Sequence, residues 1–216
     1  MKSSERALVV ISELSEAKKV VPNILKGVYD IIDTIGIEKA LYWLGHDYDT
    51  IKTLTGKEAT SVNFINAIIN SNSANIKAID VLIHLHGNPL DLYFEDKMES
   101  SSDIGTKISS LNIGNKLSML FSTACYGANH ANDFVAAGFK CASGAIGVNV
   151  NPGYDYKRFL YEWSLYNSFS DAINKSANAK LNDYLDKKLK PFFPQDIVDS
   201  NKVVRGNGNN VKLDFI

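Results

Sequence analysis

Ile79-Asp80-Val81-Leu82-Ile83-His84-Leu85-His86-Gly87 and Leu117-Ser118-Met119-Leu120-Phe121-Ser122-Thr123-Ala124-Cys125-Tyr126-Gly127 are two short apolar runs that each stop at a glycine-containing turn. Runs of this length bounded by turn signals read as buried strands, with the last residue of each left at the edge of a sheet. One run ends on a histidine and the other on a cysteine. Neighbouring parallel strands lie only ~4.8 Å apart, so groups just past their carboxyl ends meet although they stand 39 positions apart in sequence.

Further runs extend the pattern on both sides. Ala7-Leu8-Val9-Val10-Ile11 reads as a first strand, followed by Ser12 or Ser15 as cap of a helix over about Glu16 to Ile35. Ala40-Leu41-Tyr42-Trp43-Leu44 reads as a second strand ending at Gly45-His46-Asp47, and Val62 to Ile69 as an amphipathic helix. Asp91 to Asp96 suggests a small hairpin arm, Ile104 to Leu111 a short helix, Ala128 to Ala137 a helix stopped by Gly138, and Cys141 to Val148 a further strand. Helices over Tyr156 to Tyr166 and about Ser170 to Lys188 follow, then a late edge strand at Val211 to Phe215. Strands alternating with helices imply an α/β fold, a three-layer sandwich around a mostly parallel sheet of about six strands.

At 216 residues and 45% hydrophobic, the chain is expected to form one domain over residues 1–216. Lysine and arginine number 23 against 24 acidic residues, so no electrostatic footprint calls for nucleic acid or an anionic membrane. No run approaches the ~18 apolar residues of a membrane span, and Met1 to Arg6 passes into a strand without a signal-peptide pattern, so a cytoplasmic location is expected. In that reducing setting Cys125 and Cys141 are expected as free thiols. No glycine-rich dinucleotide fingerprint or Walker motif occurs, and no cofactor is expected.

The chemistry follows from the strand ends. A cysteine attacks as thiolate, and a nearby imidazole or a helix amino terminus favours that form. Cys125 stands just before a predicted helix, and His86 is the candidate base. Gly87 lets main-chain N–H groups approach a substrate carbonyl, so its N–H and that of Cys125 are candidate oxyanion donors. The implied reaction is acyl transfer to sulfur followed by hydrolysis. Cys141, inside a strand, reads as a core thiol.

A hydrophobic strand ending His86-Gly87, then a hydrophobic strand ending Ala124-Cys125, resembles the caspase-like (clan CD) cysteine peptidases. The continuation through Ala136-Ala137-Gly138-Phe139, Ala142-Ser143-Gly144-Ala145-Ile146 and Phe169-Ser170-Asp171-Ala172-Ile173 looks like that of a CHAT-type domain. The resemblance implies a cysteine endopeptidase with a His86–Cys125 dyad, acting on a protein or peptide substrate. It also implies regulation, by an activating protein partner or by ordering of loops, with the polar stretch Glu95 to Ser110 as the candidate mobile segment. Thr123 stands where metacaspases carry an aspartate, and the glutamine and arginines of caspases have no visible counterpart. Glu13, His46 and Asp47, after the first two strands, are candidate substrate-binding residues, with solvated loop side chains as the plainer account.

Three other readings stay open. The fold can persist as an inactive scaffold or binding module, since fold does not fix function. His84 and His86, as His-x-His on one strand face, can begin the site of a metal-dependent hydrolase. Ala-Cys-Tyr-Gly also resembles the nucleophile elbow of class I glutamine amidotransferases, for which His130 is the one downstream histidine.

Overall fold

The computed structural model describes residues 5–14 and 36–213. The helix expected over Glu16 to Ile35 and the end of the expected strand at Phe215 lie outside the described residues.

The backbone of the fold is a sheet running β2-β1-β3-β6-β7-β8. Its strands are β1 (Arg6–Glu13), β2 (Thr50–Thr55), β3 (Ala78–Gly87), β6 (Leu117–Ser122), β7 (Cys141–Ala145) and β8 (Lys202–Gly206). Every neighbouring pair is parallel except β7 with β8. A hairpin of β4 (Asp91–Tyr93) and β5 (Met98–Ser100) attaches antiparallel to the end of β3, where the arm was expected.

Strands β1 and β6 and most of β3 are buried along their whole length, which is why they read as unbroken apolar runs and not as alternating ones. Their side chains feed two separate cores. On one face Val9, Ile11, Val81, Ile83 and Leu120 pack with Phe64, Ile104, Phe134 and Phe139. On the other Leu8, Val10, Leu82, Met119 and Phe121 pack with Leu44, Phe159, Leu160, Trp163 and Phe169. Helices on both faces of one sheet make the three-layer α/β sandwich.

The helices of the first face are α2 (Ser61–Asn70), α3 (Ser101–Ser110) and α4 (Gly127–Ala136). Those of the second are α1, helical over 36–44, with α5 (Pro152–Ser164) and α6 (Phe169–Ser176). Helix α7 (Ala179–Leu189) follows. Thr60, Ser100, Ser168 and Asn178 each accept a hydrogen bond from the N–H three residues on, capping α2, α3, α6 and α7. The single helix expected over Ser170 to Lys188 is therefore two, broken at Ala177 and restarted by Asn178.

Three expectations are corrected. Residues 40–44 are helix, not strand: Ala40 and Leu44 are buried four residues apart while Leu41 and Tyr42 face out, the 3.6-residue period that a five-residue window conceals. The second strand is Thr-Ile-Lys-Thr-Leu-Thr at 50–55, a half-exposed edge strand with too few apolar residues to stand out. The late edge strand is Lys202–Gly206, whereas Val211 and Leu213 plug the second core.

The segment Glu95 to Ser110 is also not a structureless loop. It forms part of the hairpin and all of α3, with buried Glu99 held by Lys97 and Lys107, and Glu95 N–H donating to the Ala59 carbonyl at 3.1 Å. Isolated polar side chains in sequence conceal this organisation because the partners of Glu99 lie on both sides of it.

Candidate active site

Strands β3 and β6 are adjacent and parallel, and Ile83 opposite Ser122 is their last paired couple. Beyond it, the Thr123 N–H donates to the Ile83 carbonyl at 2.9 Å. His86 and Cys125 each stand three residues past that couple, on the same carboxyl edge. Gly87 carries the contact: a Cβ placed on it would lie 3.0 Å from the Cys125 carbonyl oxygen and 3.0 Å from Cε1 of His130. The strand end that bears the histidine therefore abuts the turn that bears the cysteine, and a side chain at 87 would drive them apart.

After Cys125 the chain turns sharply into α4. Tyr126 caps it in the left-handed region (φ 56°, ψ 21°), an arrangement that costs a non-glycine residue of order 1 kcal/mol. Three contacts hold it there. Its N–H donates to the Gly147 carbonyl at 2.8 Å, its phenol donates to Asp196 Oδ1 at 3.0 Å, and the Ile197 N–H donates to the phenol oxygen at 3.3 Å. The next residue, Gly127, packs so closely on Gly144 of β7 that a Cβ on Gly144 would fall 2.4 Å from the Gly127 carbonyl carbon. A glycine pair thus seats the first turn of α4 directly on the sheet and fixes where the thiol sits.

Cys125 is half-buried, and burial pushes the pKa of its thiol up. The Asn149 N–H, 3.4 Å from Sγ, opposes that by favouring the thiolate, Asp196 adds to the rise, and the Lys202 ammonium pulls it down. Asn149 is itself locked in place, its side-chain amide donating to the Thr123 carbonyl at 2.9 Å. Lys202 forms a buried ion pair with Asp155; burial draws the lysine down and the carboxyl up, and their mutual attraction resists both.

His86 is half-buried, with Nε2 3.1 Å from the Leu14 carbonyl oxygen. A carbonyl accepts only from N–H, so in the neutral ring this contact places the proton on Nε2 and leaves Nδ1 basic. Burial lowers the pKa of His86 from 6.5, and the Leu14 carbonyl partly offsets the fall. The imidazole is therefore neutral and able to take a proton at neutral pH.

A cleft of about 610 Å³ opens over this edge, lined by His86, Gly87, Cys125, Tyr126 and Asn149 together with apolar groups. A second depression of about 390 Å³, between α3 and α4, is lined mainly by small and polar residues and does not reach the thiol.

The remaining candidates fall elsewhere. Glu13 reaches the right edge, paired with Leu85, but its side chain is buried and the neighbouring Leu14 lines the cleft instead. His46 and Asp47 do not belong to the site. They follow a helix and precede β2, whose Thr50 pairs with Ala7 at the start of β1, so they sit at the amino edge. With ~3.3 Å of rise per residue along β1, that is about 23 Å from the carboxyl edge. There Asp47 accepts a hydrogen bond from the Tyr166 phenol at 2.9 Å.

His84 is buried, 2.6 Å from the Thr123 hydroxyl through Nδ1 and 5.0 Å between ring centroids from Tyr156. Among the described residues no three His, Cys, Asp or Glu side chains group as a metal-holding set. Cys141 is buried in β7, and burial drives its thiol far above the ordinary range. His130 is sealed beneath the Gly87 turn with Nε2 2.8 Å from the Asn88 carbonyl, so it braces that turn and does not face the cleft as a second base.

Asn149, Tyr126 and Asp196 were not visible as site residues in the sequence. Asn149 lies in the loop after β7, and only the strand order, which places that loop beside the end of β6, marks it out. Asp196 reaches the cleft from a segment after α7 that carries no motif.

No family model matches the chain, and no curated protein matches it in sequence. Solved structures do match. Caspase-1 from Spodoptera frugiperda superposes with a TM-score of 0.61 at 10% identity, covering 98% of this chain and 89% of that one. The Drosophila initiator caspase Dronc gives 0.57 at 10% identity over 98% of this chain and 83% of that one. The structure of pro-sf-caspase-1 gives 0.50 at 12% identity over 95% and 92%. With a mostly parallel sheet between helices and superposition over nearly the whole chain, the fold is caspase-like.

Proposed function

We propose that the chain is a cysteine endopeptidase in which His86 and Cys125 act as a dyad on a peptide bond held in the cleft. The observation that carries this is the Gly87–Cys125 abutment at the shared carboxyl edge, with both side chains lining one cavity. At rest the pair is thiol and neutral imidazole, because burial disfavours charge on both. As sulfur attacks the carbonyl carbon, Nδ1 of His86 takes the thiol proton, and the N–H groups of Gly87 and Cys125 receive the developing oxyanion. Collapse breaks the C–N bond, and the amine leaves with the proton from the imidazolium. Water, deprotonated by the same imidazole, then hydrolyses the thioester and frees the thiol. Nε2–H stays on the Leu14 carbonyl throughout, which fixes the ring and stabilises the imidazolium.

The test is hydrolysis of a peptide library by the full chain and three variants. Cys125→Ala and His86→Ala are each expected to abolish turnover, since a dyad fails with either member, while Cys141→Ala keeps it. Undiminished turnover in Cys125→Ala overturns the proposal.

A further inference from the structure

The cleft has a polarity of its own. Its only acidic lining side chain among the described residues is Asp196, and neither lysine nor arginine lines it. The carboxylate is half-buried, close enough to Cys125 to raise the pKa of the thiol, and bonded through Oδ1 to the Tyr126 phenol. That is its one side-chain hydrogen bond among the described residues, so Oδ2 remains an open acceptor. The Lys190 ammonium donates to the main-chain oxygens of Phe193 and Asp196 and to no carboxylate among the described residues. Around it stand Leu189, Phe192 and Phe193, with Phe192 76% exposed.

A carboxyl group that ion-pairs with no lysine or arginine among the described residues, set at the end of an apolar and aromatic wall, matches a side chain with a long hydrocarbon stem and a cationic tip. The stem covers the wall, aromatic faces attract the cation, and the tip meets the carboxylate. An acidic side chain would meet like charge at Asp196, and no lysine or arginine among the described residues lines the cleft to receive it. Resting on the peptidase reading above, we propose that the cleft selects substrates with arginine or lysine at the residue whose carbonyl is attacked, and that Asp196 determines this specificity.

The experiment uses the full chain and peptidyl acyloxymethyl ketones identical except at that residue, with arginine, norleucine or aspartate, reading the rate of covalent labelling of Cys125 by intact mass. Arginine is expected to label about 30-fold faster than norleucine or more, with aspartate slowest, as befits a desolvated charge pair. Asp196→Asn, whose amide oxygen still accepts from Tyr126, should collapse the arginine-to-norleucine ratio to near one. Equal labelling by arginine and norleucine, or an undiminished ratio in Asp196→Asn, overturns the specificity and leaves the peptidase intact. If no ketone labels Cys125 while iodoacetamide still does, the peptidase reading falls and this subsite with it.

Discussion

At the scale of single residues the site depends on the environment of two titrating groups. His86 works as a base only when neutral, and burial keeps its pKa below 6.5. Hydrolysis of an uncharged substrate is therefore expected to hold constant as pH falls to 6.5 and to decline only below it. A pH–rate profile whose acid midpoint lies above 6.5 would contradict the burial argument. Asn149 governs the other partner. Its N–H supports the thiolate, and its side chain fixes that N–H by holding the Thr123 carbonyl. In Asn149→Ala the loop loses this anchor, and alkylation of Cys125 by iodoacetamide at pH 8 should slow about tenfold, the worth of one hydrogen bond to a charged group. Alkylation at the native rate would show that the N–H needs no side-chain anchor. The positions of His86 and Cys125 at one sheet edge were legible from sequence because each ends an apolar run. Asn149 and Asp196 were not, because a polar residue in a loop carries no periodicity and its role comes from strands it is not part of.

At the scale of elements the seating of α4 on β7 is the critical contact. Gly144 has no room for a Cβ against Gly127, so Gly144→Ala must lift the first turn of α4 and the Cys125 turn with it. Overpacking of this kind costs roughly 1–3 kcal/mol. The variant is expected to fold with lowered resistance to urea and to lose nearly all peptide hydrolysis, whereas Gly153→Ala, where a Cβ meets nothing within 4 Å, should lose neither. Equal activity in the two variants would refute the contact's importance. The elements divided in legibility along the same physical line. Buried strands announced themselves as unbroken apolar runs, while β2 and β8, half-exposed at the two edges of the sheet, did not. The helix over 36–44 was misread because five apolar residues in a row suit either period until the flanking positions are known to be buried or exposed.

For the whole molecule, stability rests on polar groups sealed between the sheet and its helices. Asp80 is fully buried and ion-paired to Arg6 at 2.5 Å, and accepts from the Tyr48 phenol at 2.8 Å. Arg6→Met strands that carboxylate, and chemical denaturation should show a loss of about 3–5 kcal/mol. His84 adds a pH dependence. Burial lowers its pKa from 6.5 to about 3, so the unfolded chain binds its proton more readily over that interval. Its contribution is complete above pH 6.5 and is lost as pH falls toward 3, at up to about 1.4 kcal/mol per unit. His84→Gln should flatten the acid limb of a stability–pH curve, and an unchanged slope would assign the acid sensitivity elsewhere. Tyr126 joins the largest and smallest scales. Its backbone sets the turn after Cys125, while its phenol bonds Asp196 in the cleft wall and the Ile197 N–H beside it. Wall and Cys125 turn are thus joined through one residue, and a side chain pressing on the wall is expected to shift the sulfur. Discrimination between substrates should then be expressed more in kcat than in KM, and Tyr126→Phe, which cuts the lever, should turn a difference in turnover into a difference in mere affinity.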